Sequence, residues 1–221
     1  MLIDNTFFTN TILIPNLGIG IGKVNIDALI EKECYSFLQS LLGNKLYLEL
    51  KSNLDVDLNL KSDAPQKWKD LLYGVTYDDK RWNGLIEVGK HFKFSILANY
   101  VYLCYIKNTT SLTSNNGQIS LEPKNASNVN PTAKEVEVWN QIVDKVQETT
   151  YGDAPRLSKH RGILFIDWYG NNNQAFVTLT EYLKDFATDF PNPSLVTPEG
   201  YQITYKNQLG LWCEQKPLDK Y

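Results

Sequence analysis

The sequence predicts a mainly α-helical, bundle-like fold with a few short strands and one long inserted arm, and three observations predict it. Apolar residues recur at three- and four-residue spacing over 25–42, 91–107 and 136–146, the period of helices that bury a face. Helix-end residues stand where those patterns begin and stop: Asn25 before the first, Gly43 after it, and Asn130-Pro131 before the third. Between the second and third patterns lies a polar stretch, residues 108–130 (NTTSLTSNNGQISLEPKNASNVN). Helix connections usually take about 2 to 8 residues, and loops beyond roughly 15 are usually functional or disordered.

The start, MLIDNTFFTN, lacks a basic region and carries Asp4, so it does not read as a secretory signal. Ile26, Leu29, Ile30, Cys34, Phe37, Leu38, Leu41 and Leu42 then form the stripe of an amphipathic helix from Asn25. With Gly43 as its left-handed stop, a second helix follows through Leu46, Leu48 and Leu50. Residues 53–65 mix Asp, Asn, Ser and Leu without a period and read as a loop, and 66–73 form a short helix ended by Gly74. Residues 75–89 read as irregular, with a turn at Asn83-Gly84.

The segment HFKFSILANYVYLCYIK (91–107) is expected to be the central helix. Phe94, Leu97, Tyr100, Val101, Cys104 and Tyr105 lie along one side, and Phe92, Ile96 and Leu103 on others, so it is to be buried on several sides. After the arm, Asn130 caps and Pro131 opens a helix carried by Val136, Trp139, Ile142, Val143 and Val146 to about Thr149. GILFIDW (162–168) has the β-branched and aromatic content of a short strand. Thr178 and Glu181 have capping-box spacing and open a last helix over 179–187, stopped near Pro191 and Pro193. The tail, 201–212, alternates weakly and reads as extended. With no repeat and no marked boundary, the chain reads as one domain, 1–221, with the arm, 108–130, protruding within it.

Composition narrows the function classes. The 43% hydrophobic content of 221 residues suffices for a proper core. Twenty-two basic against 25 acidic side chains leave a net charge of -3, so no global positive field draws in nucleic acid or an anionic membrane. No run approaches the roughly 18 apolar residues of a membrane span. Cys34, Cys104 and Cys213 are odd in number and far apart, which fits reduced thiols and assembly in a cytoplasm. Thirteen Tyr and five Trp suit either a core with an amphipathic rim or a large subunit interface, and Trp82, Trp139 and Trp212 are assigned to core or assembly.

Catalytic motifs fail on spacing. In Gly18-Ile-Gly-Ile-Gly-Lys23 a phosphate-binding loop would need Gly and Ser/Thr where Leu17 and Val24 stand, and a dinucleotide fingerprint would need Gly at Lys23. A turn before the first helix is the plainer reading. His91 and His160 each lack a companion at metal-ligand spacing, and Asp153, Ser158 and His160 are neighbours in a polar loop without a scaffold to converge them. Asp78-Asp79 reads as solvated turn charge, and Asp167 as a strand-edge position. No catalytic residue, cofactor or metal is therefore assigned.

Several stretches in order resemble the head-tail connector (adaptor) proteins of tailed bacteriophages, in particular those of phages infecting Bacteroides-type hosts, crAss-like phages included. They are FFTNTILIPNL (7–17), FLQSLLGNKLY (37–47), QKWKDLLYG (66–74), RWNGLIEVGKHFKFSILANYVYLCYIKN (81–108), the arm, PTAKEVEVWNQIVD (131–144), TLTEYLKDF (178–186) and YKNQLGLW (205–212). Residues 151–175 have no counterpart in that pattern. The resemblance implies a helical, non-enzymatic virion protein made in the host cytoplasm. It implies a ring of this chain, a dodecamer matched to the portal, at the head-tail junction. Its partners would be the portal protein and other connector or tail proteins, with DNA passing through the channel without specific binding and no membrane contact. The rival readings are a small soluble enzyme with a site assembled from scattered residues and a host-directed binding module.

Within the arm, Leu112, Ile119 and Leu121 alternate weakly with polar residues around Gly117, a pattern compatible with a hairpin that adds to a neighbour, and Asn125 lies beyond it. Leu112, Asn116, Gly117, Ile119, Leu121 and Asn125 are thus the expected interaction residues. The arm's polar composition buries little apolar surface to offset ordering entropy, so its ordering is expected to come from neighbouring copies.

Overall fold

The computed structural model describes residues 1–14, 21–109, 111–114, 117–120, 132–146 and 175–191. Their architecture is mainly helical with short strands, as the sequence predicts. Two 3-10 turns, Asn5–Phe7 and Asn10–Ile12, lead to α1 (Ile21–Ser52), which is two helices joined at Gly43, whose φ of 76° and ψ of 160° break the helical path. Upstream the helix begins at Ile21, a turn before the expected cap at Asn25. Gly22 costs only about 1 kcal/mol inside a helix, too little to stop one that already propagates. The buried stripe is the expected one, with Ile26, Ile30, Cys34, Phe37, Leu38 and Leu42 before the break and Leu46, Tyr47 and Leu50 after it.

Short α2 (Gln66–Tyr73) follows Pro65 and stops at Gly74, burying Trp68, Leu71 and Leu72. Residues 75–89, expected to be irregular, instead hold three strands: β1 (Val75–Tyr77), β2 (Lys80–Trp82) and β3 (Ile86–Val88). At three residues each they are too short for alternation to register, and the β1–β2 turn is made by Asp78 and Asp79 at φ 41° and 60°. Asp is among the few non-glycine residues that enter this left-handed region readily. Two glycines clamp the region to α2. A Cβ on Gly74 would sit 2.5 Å from the Trp82 carbonyl oxygen, and one on Gly84 2.5 Å from that of Leu72.

The central helix starts later than its apolar pattern suggests. Residues 93–95 form β4 (Lys93–Ser95), antiparallel to β3, and α3 runs Ile96–Thr109. Ser95 decides the boundary: its hydroxyl accepts the Leu97 N–H at 3.1 Å, as an N-cap does, and donates to the Leu85 carbonyl at 3.0 Å. Phe92, expected on the buried helix, is consequently 51% exposed in the β3–β4 turn. At its other end α3 takes in Asn108 and Thr109, so the arm begins after Thr109 and not at Asn108.

Helix α3 packs against both α1 and α4 (Thr132–Val146). Leu97, Ala98 and Val101 are fully buried, Phe37 stacks on Tyr100 with ring centroids 4.5 Å apart, and Asn99 donates to Gln141 at 2.9 Å across the α3–α4 seam. Val136, Val138, Ile142, Val143 and Val146 line the buried face of α4, while the expected cap and first turn at 130–131 and the end at 147–149 lie outside the described residues. Two-residue β7 (Ala175–Phe176) adds parallel to β2, giving the sheet order β1-β2-β7, and α5 (Leu179–Asp185) opens with the predicted capping box. Thr178 accepts the Glu181 N–H, and Glu181 accepts the Thr178 N–H at 2.8 Å. The helix stops at Asp185, two residues before the expected 187, in a turn that brings Phe190 against Trp68. Trp82 is fully buried and stacks on Tyr182, 5.5 Å between centroids; Trp139 is half-buried against the core. The segments 162–168 and 201–212, and Trp212, lie outside the described residues.

Because Leu97 and Val101 are fully buried, Leu97→Ala should destabilise the fold by about 2 to 5 kcal/mol, and Val101→Ala by less, since it removes fewer carbons. Denaturant titration checks this, and an unchanged midpoint in Leu97→Ala would mean that this face is not packed.

Candidate interaction surface: the arm on helix α3

The arm leaves the C-terminal turn of α3, where the Thr109 hydroxyl donates to the Ile106 carbonyl at 3.2 Å. That carbonyl is one of the last four, which lack donors within the helix. Beyond it come β5 (Ser111–Ser114) and β6 (Gly117–Ser120), antiparallel, with Leu112 paired to Ile119 and Ser114 to Gly117. The register leaves two residues, Asn115-Asn116, between the strands. Three of the six expected interaction residues, Leu112, Gly117 and Ile119, therefore sit in one hairpin. Asn116, Leu121 and Asn125 lie outside the described residues.

The hairpin is its own two-stranded sheet, separate from β1-β2-β7 and β3-β4, and it follows directly after α3. Its strands pair within a single copy. Two strands alone are marginal in water, and each keeps one edge of backbone donors and acceptors outside the pair. The opposite end of the gap is held by α4, where the Lys134 ammonium lies 5.1 Å from the centre of the Tyr102 ring on α3.

The chemically reactive groups elsewhere are tied into the scaffold. Burial, then the neighbouring Glu33 charge, pushes the Cys34 thiol up to about 12, and the same two effects push Cys104 up to about 11. Cys104 also donates to Glu33 at 3.5 Å. Lys145 pairs with Glu87 and lies over the Trp82 and Phe94 rings at 5.0 and 5.9 Å. Burial lowers its pKa against the opposing pull of Glu87. Asp185 accepts from the Tyr77 hydroxyl at 2.8 Å and from Lys80 at 2.7 Å. Partial burial works against its charge, but these two bonds leave its pKa below the usual value.

The remaining sequence candidates are not brought together. Gly22 and Lys23 lie in the first turn of α1, whereas Gly18, Ile19 and Gly20 lie outside the described residues. His91 is exposed in the β3–β4 turn, and Asp78-Asp79 form the exposed β1–β2 turn, as expected. Asp153, Ser158, His160 and Asp167 lie outside the described residues. Among the described residues no group of three or more His, Cys, Asp or Glu is placed to hold a metal, and no helix is long and apolar enough to cross a membrane. An apolar cleft of about 20 Å³, lined by Met1, Ile30, Cys34, Tyr35 and Leu54 among others, has room for about one water. Sequence reasoning missed the exposed Val88 and Phe92, because both continue apolar runs; the signal that could have found them is Gly89-Lys90-His91 between two short β-type segments.

No protein-family model matches the chain, and comparison with curated proteins and with solved structures returns no match.

The raised thiol pKa values make a direct prediction. At pH 8 an unperturbed thiol, with a pKa near 8.5, is about a quarter thiolate, whereas Cys34 stays protonated. Peptide mapping after iodoacetamide should show Cys34 labelled only as fast as the protein unfolds, and in full in denaturant. Rapid labelling of the native chain would contradict its burial.

Proposed function

We propose that this chain is a structural assembly subunit that joins copies of itself through the arm projected from α3. The observation that carries the reading is the β5–β6 hairpin, which stands as a separate sheet after the end of a helix packed against both α1 and α4. Such a helix is a rigid mount, and a strand edge mounted on it can add to a sheet or strand of a neighbour by main-chain bonding. Resemblance to head-tail connectors carries the finer reading. In it the chain forms a ring, a dodecamer, at the head-tail junction of a tailed phage virion, bound by the portal protein on one side and other connector or tail proteins on the other.

A net charge of -3 supports the channel part of that reading, since phosphate binding depends on Lys and Arg, and a channel must let DNA pass without gripping it. In this role the chain works without a catalytic residue or cofactor. Its energetics lie in interfaces, where a few buried aromatic and apolar anchors dominate.

Replacing residues 111–120 with a short Gly-Ser link tests the reading. As a surface appendage the hairpin should contribute within about 1 kcal/mol to the stability of a single copy, so its melting should hardly move. Assembly with the portal, followed by native mass spectrometry, should be lost. An armless chain that assembles like wild type would overturn the proposal.

A further inference from the structure

Two exposed turns on this chain carry apolar surface and opposite charge. The β3–β4 turn presents Val88, 64% exposed, and Phe92, 51% exposed, beside exposed Lys90 and His91. The Gly89 N–H donates to the Phe92 carbonyl at 2.8 Å, and a Cβ on Gly89 would sit 2.5 Å from the Phe92 ring. The aromatic ring thus rests on bare backbone, already held in one place, and loses little freedom when a partner covers it. Next to it Lys93 is braced on the N-terminal segment, bonded to Thr6 and lying 5.0 Å from the centre of the Phe7 ring. Glu87, the one acid in these strands, is taken up by Lys145, and Asp4 of the N-terminal segment lies 4.0 Å from Lys93, so Lys90 leaves the charge at this turn positive.

The β1–β2 turn is its complement. Asp78 and Asp79 are both exposed, and the adjacent Lys80 is taken up by Asp185 on α5. Beside them β7 forms one edge of the sheet, with Phe176 69% exposed and in register with Arg81. Arg81 donates to Thr76 and Asn83 at 3.0 Å each and keeps its charge, so Asp78 and Asp79 against this one cation leave a net negative charge at the turn. Neither Lys90 nor Asp79 is in an ion pair with a described residue. The basic turn is braced on the N-terminal segment and the acidic one on α5, two separate supports.

We infer that the Val88–Phe92 turn of one copy docks on the Asp78-Asp79 turn and Phe176 edge of a second copy, head to tail. Two different patches on one chain make a heterologous contact, which closes into a ring when the rotation per copy allows and runs on as a filament when it does not. The apolar residues supply the contact and the charges its orientation; the charged part weakens with salt, because exposed charges are screened within about 8 Å at physiological ionic strength. This inference rests on the self-assembly reading above and names the faces that meet, apart from the arm.

Charge reversal tests it by sedimentation velocity at low salt, with thermal melting as a check that each variant folds. Lys90→Glu alone and Asp78→Lys with Asp79→Lys should each weaken self-association about tenfold or more, because each sets like charges face to face. Mixing the two variants should restore association, since every contact in an alternating array is again between opposite charges. Phe92→Ser should weaken association without a charge change. Variants that associate like wild type, or a mixture that fails to recover, would overturn this docking surface while leaving the arm assay to judge the broader reading. Wild type that stays monomeric up to about 100 µM, well above useful affinities, would overturn it too.

Discussion

Everything in this fold depends on α3 being apolar nearly all round. A helix with one apolar stripe can lie on a surface, but one with Ile96, Leu97, Ala98, Val101, Tyr102 and Ile106 buried must be covered on several sides at once. Helix α1 covers one side and α4 another, although α4 lies beyond the arm in sequence. The chain therefore leaves the core after Thr109 and returns by Thr132. The arm is the stretch of sequence between these two obligations.

A second constraint organises the aromatic half of the molecule. The close approach of Gly74 and Gly84 holds the β1–β2 hairpin against the end of α2, where Trp82 donates its indole N–H to the Leu71 carbonyl at 3.0 Å. Tyr182 stacks on Trp82 from α5, and Lys145 reaches the same ring from α4. One tryptophan thus links four elements. The ion pair of Lys145 with Glu87 closes that junction and ties α4 to β3, a costly arrangement to break because either partner alone would be left charged and largely desolvated.

How much of this was legible in the sequence follows from the range of each signal. Signals carried by one or two residues with a single physical meaning read correctly: Gly43 as a helix break, Gly74 as a stop, and Thr178 with Glu181 as a capping box. Signals that need a period over many residues failed where elements are three residues long, so β1, β2 and β3 passed as irregular. Phe92 and Phe94 extended the helical pattern of α3 upstream, and the decisive residue was Ser95, whose capping role depends on Leu85 being close in space. Within the stretch read as an arm, the strands pair Leu112 with Ile119, and Gly117, around which a hairpin was expected, opens the second strand opposite Ser114. The exposed face at Val88 and Phe92 was not legible, because exposure is a property of the packed molecule.

The central claim is that this chain works by being built into a ring, with the arm contacting a neighbour. Cryo-electron microscopy of tailed-phage particles assembled with the chain tests it most directly. The account predicts density for a closed ring of the chain between capsid and tail, with residues 111–120 of each copy lying against the adjacent copy. Particles that are complete without the chain, or a ring in which every arm faces solvent, would contradict it.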